Sequence, residues 1–380
     1  MNFQISRTNV AQFILTVILF WPFFLWYRFL YILIIIYGIL SYESTLSVKK
    51  DIIRIVPILL LICWLYGECL GLARGNGWDA IENFFGMSLL ITANSTKLGS
   101  VGQNSKLVKN IVYAGVIQVP YFVIYTFIEG IPIEVYFLRG FTDIGDFRVE
   151  YNASVILSSI AFFLLLRKEW ASNVVTSIPL RVIYILLALA AVIMSGSKGY
   201  YAAFALMFFA YCFVTLRLRA NLIRFATLVV LIVFIAAALP YQLIKDSYSA
   251  DEISNSRRDE QAPYILSEVT VIGAGLGSGL KSGYFRGVSY GAELTYHSIL
   301  HKFGLICGCI IFFSYLTIWL NSAYLMLKAP NSNRFISFSL LCILIPAYGN
   351  PSLFSPLSIV AFIIAFRILC IERLRLPTHI

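Results

Sequence analysis

The sequence predicts an all-α polytopic membrane protein of about twelve transmembrane helices, ten at the fewest, with one large loop on the outer side. Three observations predict it. Of the 380 residues, 59% are apolar and 13% charged, with a mean hydropathy of +0.82, whereas soluble domains carry about 25% charged residues. The apolar residues form continuous runs near the length a helix needs to cross a hydrocarbon core about 30 Å thick, not the alternating pattern of a membrane barrel. No stretch between the runs is large and polar enough to fold alone in water, so residues 1–380 read as one transmembrane domain.

The first run, Val10 to Tyr42, carries a single charge, Arg28, and reads as a helical hairpin (8–27 and 29–44) rather than a signal peptide. The following helices are expected at 52–72, 80–96, 107–129, 152–167, 178–196, 198–216, 221–243, 298–327, 334–350 and 352–372. Those at 29–44, 80–96 and 152–167 are short or weak, so ten or eleven helices is the alternative count. Two outer connections exceed an ordinary loop: 130–152, and a larger one at 245–296. The larger one opens polar at Asp246–Arg258. A short helix is expected there near Asp259–Val269, then a glycine-rich re-entry stretch from Ile272 to Tyr290. No internal repeat is evident, which disfavours a transporter built from inverted halves.

Charge sets the orientation. With both termini inside, 18 of the 29 Lys and Arg lie on the cytoplasmic half, among them Lys49, Lys50, Lys106, Lys109, Arg167, Lys168, Lys328 and Arg373, and 11 lie outside. The acids run the other way, 4 inside and 15 outside of 19. The net charge of +10 therefore follows the positive-inside rule and excludes a nucleic-acid-binding reading. The seven cysteines fall mostly within apolar runs and form no C-x-x-C pair, so neither a disulfide framework nor a zinc site is expected, and no metal is.

The stretch Gly273-Ala-Gly-Leu-Gly-Ser-Gly279 lacks the third glycine of a dinucleotide fingerprint and the Lys-Ser/Thr of a P-loop. It stands as a flexible loop or as a nest of backbone N–H groups approaching an anion. Arg139, Arg148, Arg257, Arg258, Lys281 and Arg286 lie in the outer loops, either solvated or converging on a pyrophosphate. Lys198 follows an apolar helix in Met194-Ser-Gly-Ser-Lys-Gly-Tyr-Tyr201 at the outer surface, where two readings stand: a site cation between helices, or a snorkelling side chain. His297 and His301, four apart, would share one helical face, as a general base near neutral pH, as part of a metal site, or as interfacial histidines.

Taken in order, Ser195-Gly-Ser-Lys-Gly-Tyr-Tyr201, Arg257-Arg258-Asp-Glu-Gln261, Val271-Ile-Gly-Ala-Gly-Leu-Gly-Ser-Gly279 and His297-Ser-Ile-Leu-His-Lys-Phe-Gly-Leu-Ile-Cys-Gly308 resemble the O-antigen ligase and polymerase superfamily of bacterial envelopes, over roughly 140–325. The departures are Lys198 in place of Arg, Ser298 in place of Asn, and a shorter spacing from His297 to Gly304, which leaves Glu293 as an alternative occupant of the histidine's place. The resemblance implies a multi-pass protein of the bacterial inner membrane. It would transfer a glycan from undecaprenyl pyrophosphate to an acceptor sugar on the periplasmic side, without metal or other cofactor.

It further implies pyrophosphate-binding roles for Arg148, Lys198 and Arg258, with Arg257 and Arg286 secondary, and a base at His297, with Glu293 and His301 in reserve. The implied partners are the lipid-linked oligosaccharide, membrane lipid and a chain-length regulator protein, with no nucleic acid. Polymerase is the expected activity; a ligase acting on lipid A core is the alternative within the class, and a transporter or flippase of a lipid-linked glycan the alternative outside it.

Overall fold

The computed structural model describes residues 7–20, 33, 36, 53, 55–76, 101–128, 147–171, 174–195, 198–217, 253–280, 294–348, 353 and 356–374. These residues are predominantly helical and contain no strand. In chain order the helices are α1 (Arg7–Phe20), α2 (Ile55–Ala73), α3 (Val101–Val116), α4 (Gln118–Ile128), α5 (Phe147–Leu166), α6 (Ile178–Met194), α7 (Lys198–Arg217), α8 (Ile253–Ser267), α9 (Thr295–Lys328), α10 (Ser332–Leu341) and α11 (Pro356–Leu374), with a single turn at Lys168–Ala171.

Two of them, α2 and α9, are long and apolar enough to cross a membrane. α2 shows why: Ile55, Ile58, Ile62, Leu65 and Leu72 project outward while Leu60, Cys63, Trp64, Gly67 and Gly71 are buried. A helix apolar on its exposed side as well as its packed side suits a bilayer-facing position. α9 is interrupted at Gly304, and the continuous part from Leu305 to Lys328 is about 36 Å long at 1.5 Å per residue, enough for a hydrocarbon core with some tilt.

Several boundaries depart from expectation for identifiable reasons. The run expected at 107–129 divides into α3 and α4 at Ile117. The run expected at 334–350 is α-helical only to Leu341 and continues as tight turns at Cys342–Leu344 and Pro346–Tyr348, where proline supplies no backbone donor. The short helix expected near Asp259–Val269 is α8, which begins earlier. The runs expected at 80–96 and 221–243, and all but Leu33 and Ile36 of 29–44, lie outside the described residues.

The core joins α5, α7 and α10 through Phe163, which lies 5.0 Å from Phe204, 5.4 Å from Tyr211 and 5.9 Å from Phe335, ring centre to ring centre. At one end of the bundle, Arg181 of α6 donates to the free carbonyls of Leu165 and Leu166 at 2.6 and 3.0 Å, closing the C-terminus of α5. Buried Arg334 meets buried Glu372 at 2.8 Å, and Asn331 donates to the same carboxylate while capping the N–H of Arg334. The start of α7 and the start of α9 both meet the turns at Cys342–Tyr348, and the start of α9 is joined to the end of α2 through residues 274–276, so these three segments gather together.

Candidate functional site

The break in α9 organises that meeting point. At Gly304 the backbone takes φ 76°, ψ 175°, a conformation essentially restricted to glycine. The interruption frees the carbonyls of His301 and Lys302 and the N–H of Leu305 from the helical ladder. Buried inside a helical bundle, such groups need protein partners.

The glycine-rich stretch supplies them. Ala274 N–H donates to His301 O and Gly275 N–H to Lys302 O, both at 2.8 Å, while Leu305 N–H donates to Thr270 O at 3.2 Å. Its other side docks on α2: Leu276 N–H donates to Gly67 O, Asn76 Nδ2 to Leu276 O, and the Tyr66 hydroxyl to Ile272 O. Gly273 N–H donates to the Thr270 hydroxyl. The N–H groups of Gly273 through Leu276 thus all have protein acceptors, which corrects the nest reading for these residues: the stretch closes a broken helix instead of cradling an anion.

His301 is buried at the same break, with Nε2 3.6 Å from the carboxylate of Glu268, which follows the end of α8. The charges of Arg74, just past α2, and of buried Lys302 also act on this ring. Three segments far apart in sequence therefore place one carboxylate and two cations around one imidazole.

One turn earlier, His297 has other neighbours. Its ring lies 6.3 Å from that of exposed Tyr348 at an interplanar angle of 66°, and its Nδ1 is buried without a hydrogen-bond partner. The Tyr296 hydroxyl donates to Leu344 O, so the start of α9 is fastened to the turns that follow α10. The start of α7 reaches those turns too: a Cβ on Gly199 would lie 2.7 Å from Pro346 Cα, so only glycine admits this approach. Lys198, the first residue of α7, is thereby in the segment next to the His297–Tyr348 contact.

Of the other residues singled out in the sequence, Arg148 lies in the first turn of α5 and Arg257 and Arg258 lie within α8, which packs on α9. The side chains of these three and of Lys198 lie outside the described residues, as do Glu293, Lys281 and Arg286 entirely. The structure brings His297, His301 and the start of α7 to one end. It adds Glu268, Arg74, Lys302 and Tyr348, which sequence reasoning missed. Arg74 carried a signal, a cation directly after the apolar run of α2; the place of Glu268 beside His301 depends on tertiary contact alone. Among the described residues, no three His, Cys, Asp or Glu side chains gather as metal ligands. Compared with family models, curated proteins and solved structures, the chain matches none.

Proposed function

We propose that this chain is a surface-polysaccharide (O-antigen) polymerase, a metal-independent glycosyltransferase that joins repeat units carried on undecaprenyl pyrophosphate at the outer face of a bacterial inner membrane. In this reading the chain crosses the membrane about twelve times, both termini are cytoplasmic, and 130–152 and 245–296 are periplasmic. One observation carries the reading. Three stretches that resemble the superfamily, around Lys198, around Gly273 and around His297, are strangers in sequence and neighbours in space, linked through Gly199–Pro346, His297–Tyr348 and the backbone bonds of Ala274 and Gly275 to α9.

The chemistry follows from the parts. The acceptor hydroxyl gives its proton to His297 as its oxygen bonds the anomeric carbon of the donor. The bond from that carbon to the pyrophosphate oxygen breaks, and the pyrophosphate leaves on its lipid. Cations offset the charge that develops there, and one well-aimed donor contributes about 3 kcal/mol in comparable sites. Arg74 and Lys302 join Arg148, Lys198 and Arg258 as the groups for that role, with Arg257 and Arg286 secondary. His301 is held by Glu268, whereas half-buried His297 has a ring nitrogen with no protein partner, which favours His297 as the base over His301. An apolar exterior lets a lipid-borne donor arrive sideways from the bilayer, and a chain-length regulator is the expected protein partner.

The test is purified protein in lipid nanodiscs with undecaprenyl-pyrophosphate-linked repeat units, free of nucleotide and metal. A ladder of lengthening glycans supports polymerase. Transfer only to added lipid A core makes the protein a ligase, and movement of the lipid-linked glycan across vesicles with no new glycosidic bond makes it a transporter.

A further inference from the structure

The first part of α9 does not continue the line of the rest but folds back along it. The Tyr296 and Phe312 rings lie 5.7 Å apart, centre to centre, although a straight helix between them would hold them about 24 Å apart. A Cβ on Gly308 would lie 3.3 Å from Leu300 Cα and 3.0 Å from Leu300 Cδ2. Both pairs are symmetric about Gly304, where the positive φ turns the chain. Residues 295–303 are therefore a re-entrant half-helix. It starts at the level of Phe312, about 12 Å along α9 from the break, and runs back to the break before α9 sets out again.

The two ends of this half-helix are satisfied differently. Its last carbonyls, of His301 and Lys302, are closed by the N–H groups of Ala274 and Gly275. Its first turn is open: Leu294 supplies no side-chain cap, and no acceptor among the described residues meets the N–H groups of Tyr296 and His297. Ser298 is only 5% exposed, yet its hydroxyl has no partner, and His297 Nδ1 has none either. Helical side chains lean toward the N-terminus, so the Ser298 hydroxyl overhangs this same turn. Buried polar groups without protein partners mark a place where another molecule supplies them, and the positive end of the helix dipole selects an anion. Exposed Tyr348, in ring contact with His297, leaves the turn approachable from outside.

We propose that the first turn of this half-helix, with the N–H groups of Tyr296 and His297 and the Ser298 hydroxyl, is the seat of a phosphate-class anion carried on a lipid. Phe312 and Phe313, exposed at the same level of α9, offer the apolar surface that a lipid chain follows and a free ion does not. The anion seat that residues 273–276 do not form is thus formed by the half-helix they close. That the lipid is undecaprenyl pyrophosphate rests on the proposed function; the seat itself rests on the geometry of α9.

The experiment is amide hydrogen exchange on the full-length protein in nanodiscs, with undecaprenyl pyrophosphate, undecaprenol or inorganic pyrophosphate added. Undecaprenyl pyrophosphate should slow exchange of the Tyr296 and His297 amides at least about tenfold, and undecaprenol, which lacks the anion, should not. Ser298→Asp sets a fixed carboxylate over the turn and should weaken binding of undecaprenyl pyrophosphate at least about tenfold, whereas near-isosteric Ser298→Asn should change it less than about threefold, with melting curves to check that both variants fold. No protection by either pyrophosphate, equal protection by undecaprenol, equal protection by inorganic pyrophosphate, or wild-type binding in folded Ser298→Asp would each overturn the proposal. No glycan is transferred in this assay, so protection without an elongation ladder sinks the proposed function and leaves the seat standing, while a ladder without protection does the reverse.

Discussion

Replacing Gly304 by alanine should unseat the glycine-rich stretch from the break in α9. The added Cβ meets the Val271 carbonyl oxygen inside van der Waals contact and is held there by a backbone conformation that L side chains rarely adopt. The conformational strain is about 1–3 kcal/mol. Relieving it by remaking the helix breaks the bonds from Ala274 to His301, from Gly275 to Lys302 and from Leu305 to Thr270, each worth about 0.5–1.5 kcal/mol. The two costs are alternatives, so docking of the stretch weakens by the strain it must carry, about 1–3 kcal/mol, enough to loosen it without unfolding the bundle. Hydrogen exchange in nanodiscs reads this directly. Amides of Ala274, Gly275 and Leu276 should exchange at least about fivefold faster in Gly304→Ala, as a loss of about 1–3 kcal/mol requires, while those of α5 and α10 keep their protection. Unchanged protection of the three amides would refute the reasoning, since it would mean that the break does not depend on glycine.

Further outcomes follow at other sites. Glu372→Ala leaves the buried Arg334 guanidinium uncompensated and should lower stability by about 3–5 kcal/mol, whereas a matched Arg334→Met/Glu372→Leu pair should come close to wild type; thermal unfolding of all three separates the cases. Gly199→Val should drive the start of α7 off Pro346 and reduce elongation at least tenfold with little change in Tm, read from glycan ladders beside a melting curve. His297→Ala and Arg148→Ala should each abolish elongation with membrane insertion intact, and wild-type chain length in either variant removes that residue from the site. Tyr66→Phe loses the 2.7 Å bond to Ile272 O and should cost about 1 kcal/mol, visible as faster exchange confined to the glycine-rich stretch.

What the sequence disclosed, and what it withheld, divides by the range of the forces involved. Continuous apolar runs announced α2, α6, α7 and α9, because the burial of apolar side chains acts on each segment separately. Helix interruptions were less visible: Ile117 and Gly304 sit inside runs each expected to be one helix, and the partners that satisfy the freed backbone at Gly304 come from Thr270, Ala274 and Gly275, some thirty residues away. His297 and His301 were legible as a spaced pair, but their different surroundings were not, since Glu268 and Tyr348 reach them only through tertiary packing. The glycines were read as a loop or an anion nest because sequence shows that a backbone can approach something, not what it approaches. The charged loop residues Glu293 and Arg286 lie outside the described residues, so their part in the site rests on the resemblance alone.

The central claim is that a lipid-linked pyrophosphate glycan reacts where α7, the glycine-rich stretch, the start of α9 and the turn at Pro346–Tyr348 meet. A diazirine-bearing analogue of undecaprenyl-pyrophosphate oligosaccharide, photolysed on the protein in nanodiscs and mapped by peptide mass spectrometry, tests that claim most directly. Labels should fall within 198–201, 270–280, 295–304 and 342–348 and be displaced by unmodified substrate. Competable labels confined to the opposite end, around Arg334 and Glu372, would contradict it.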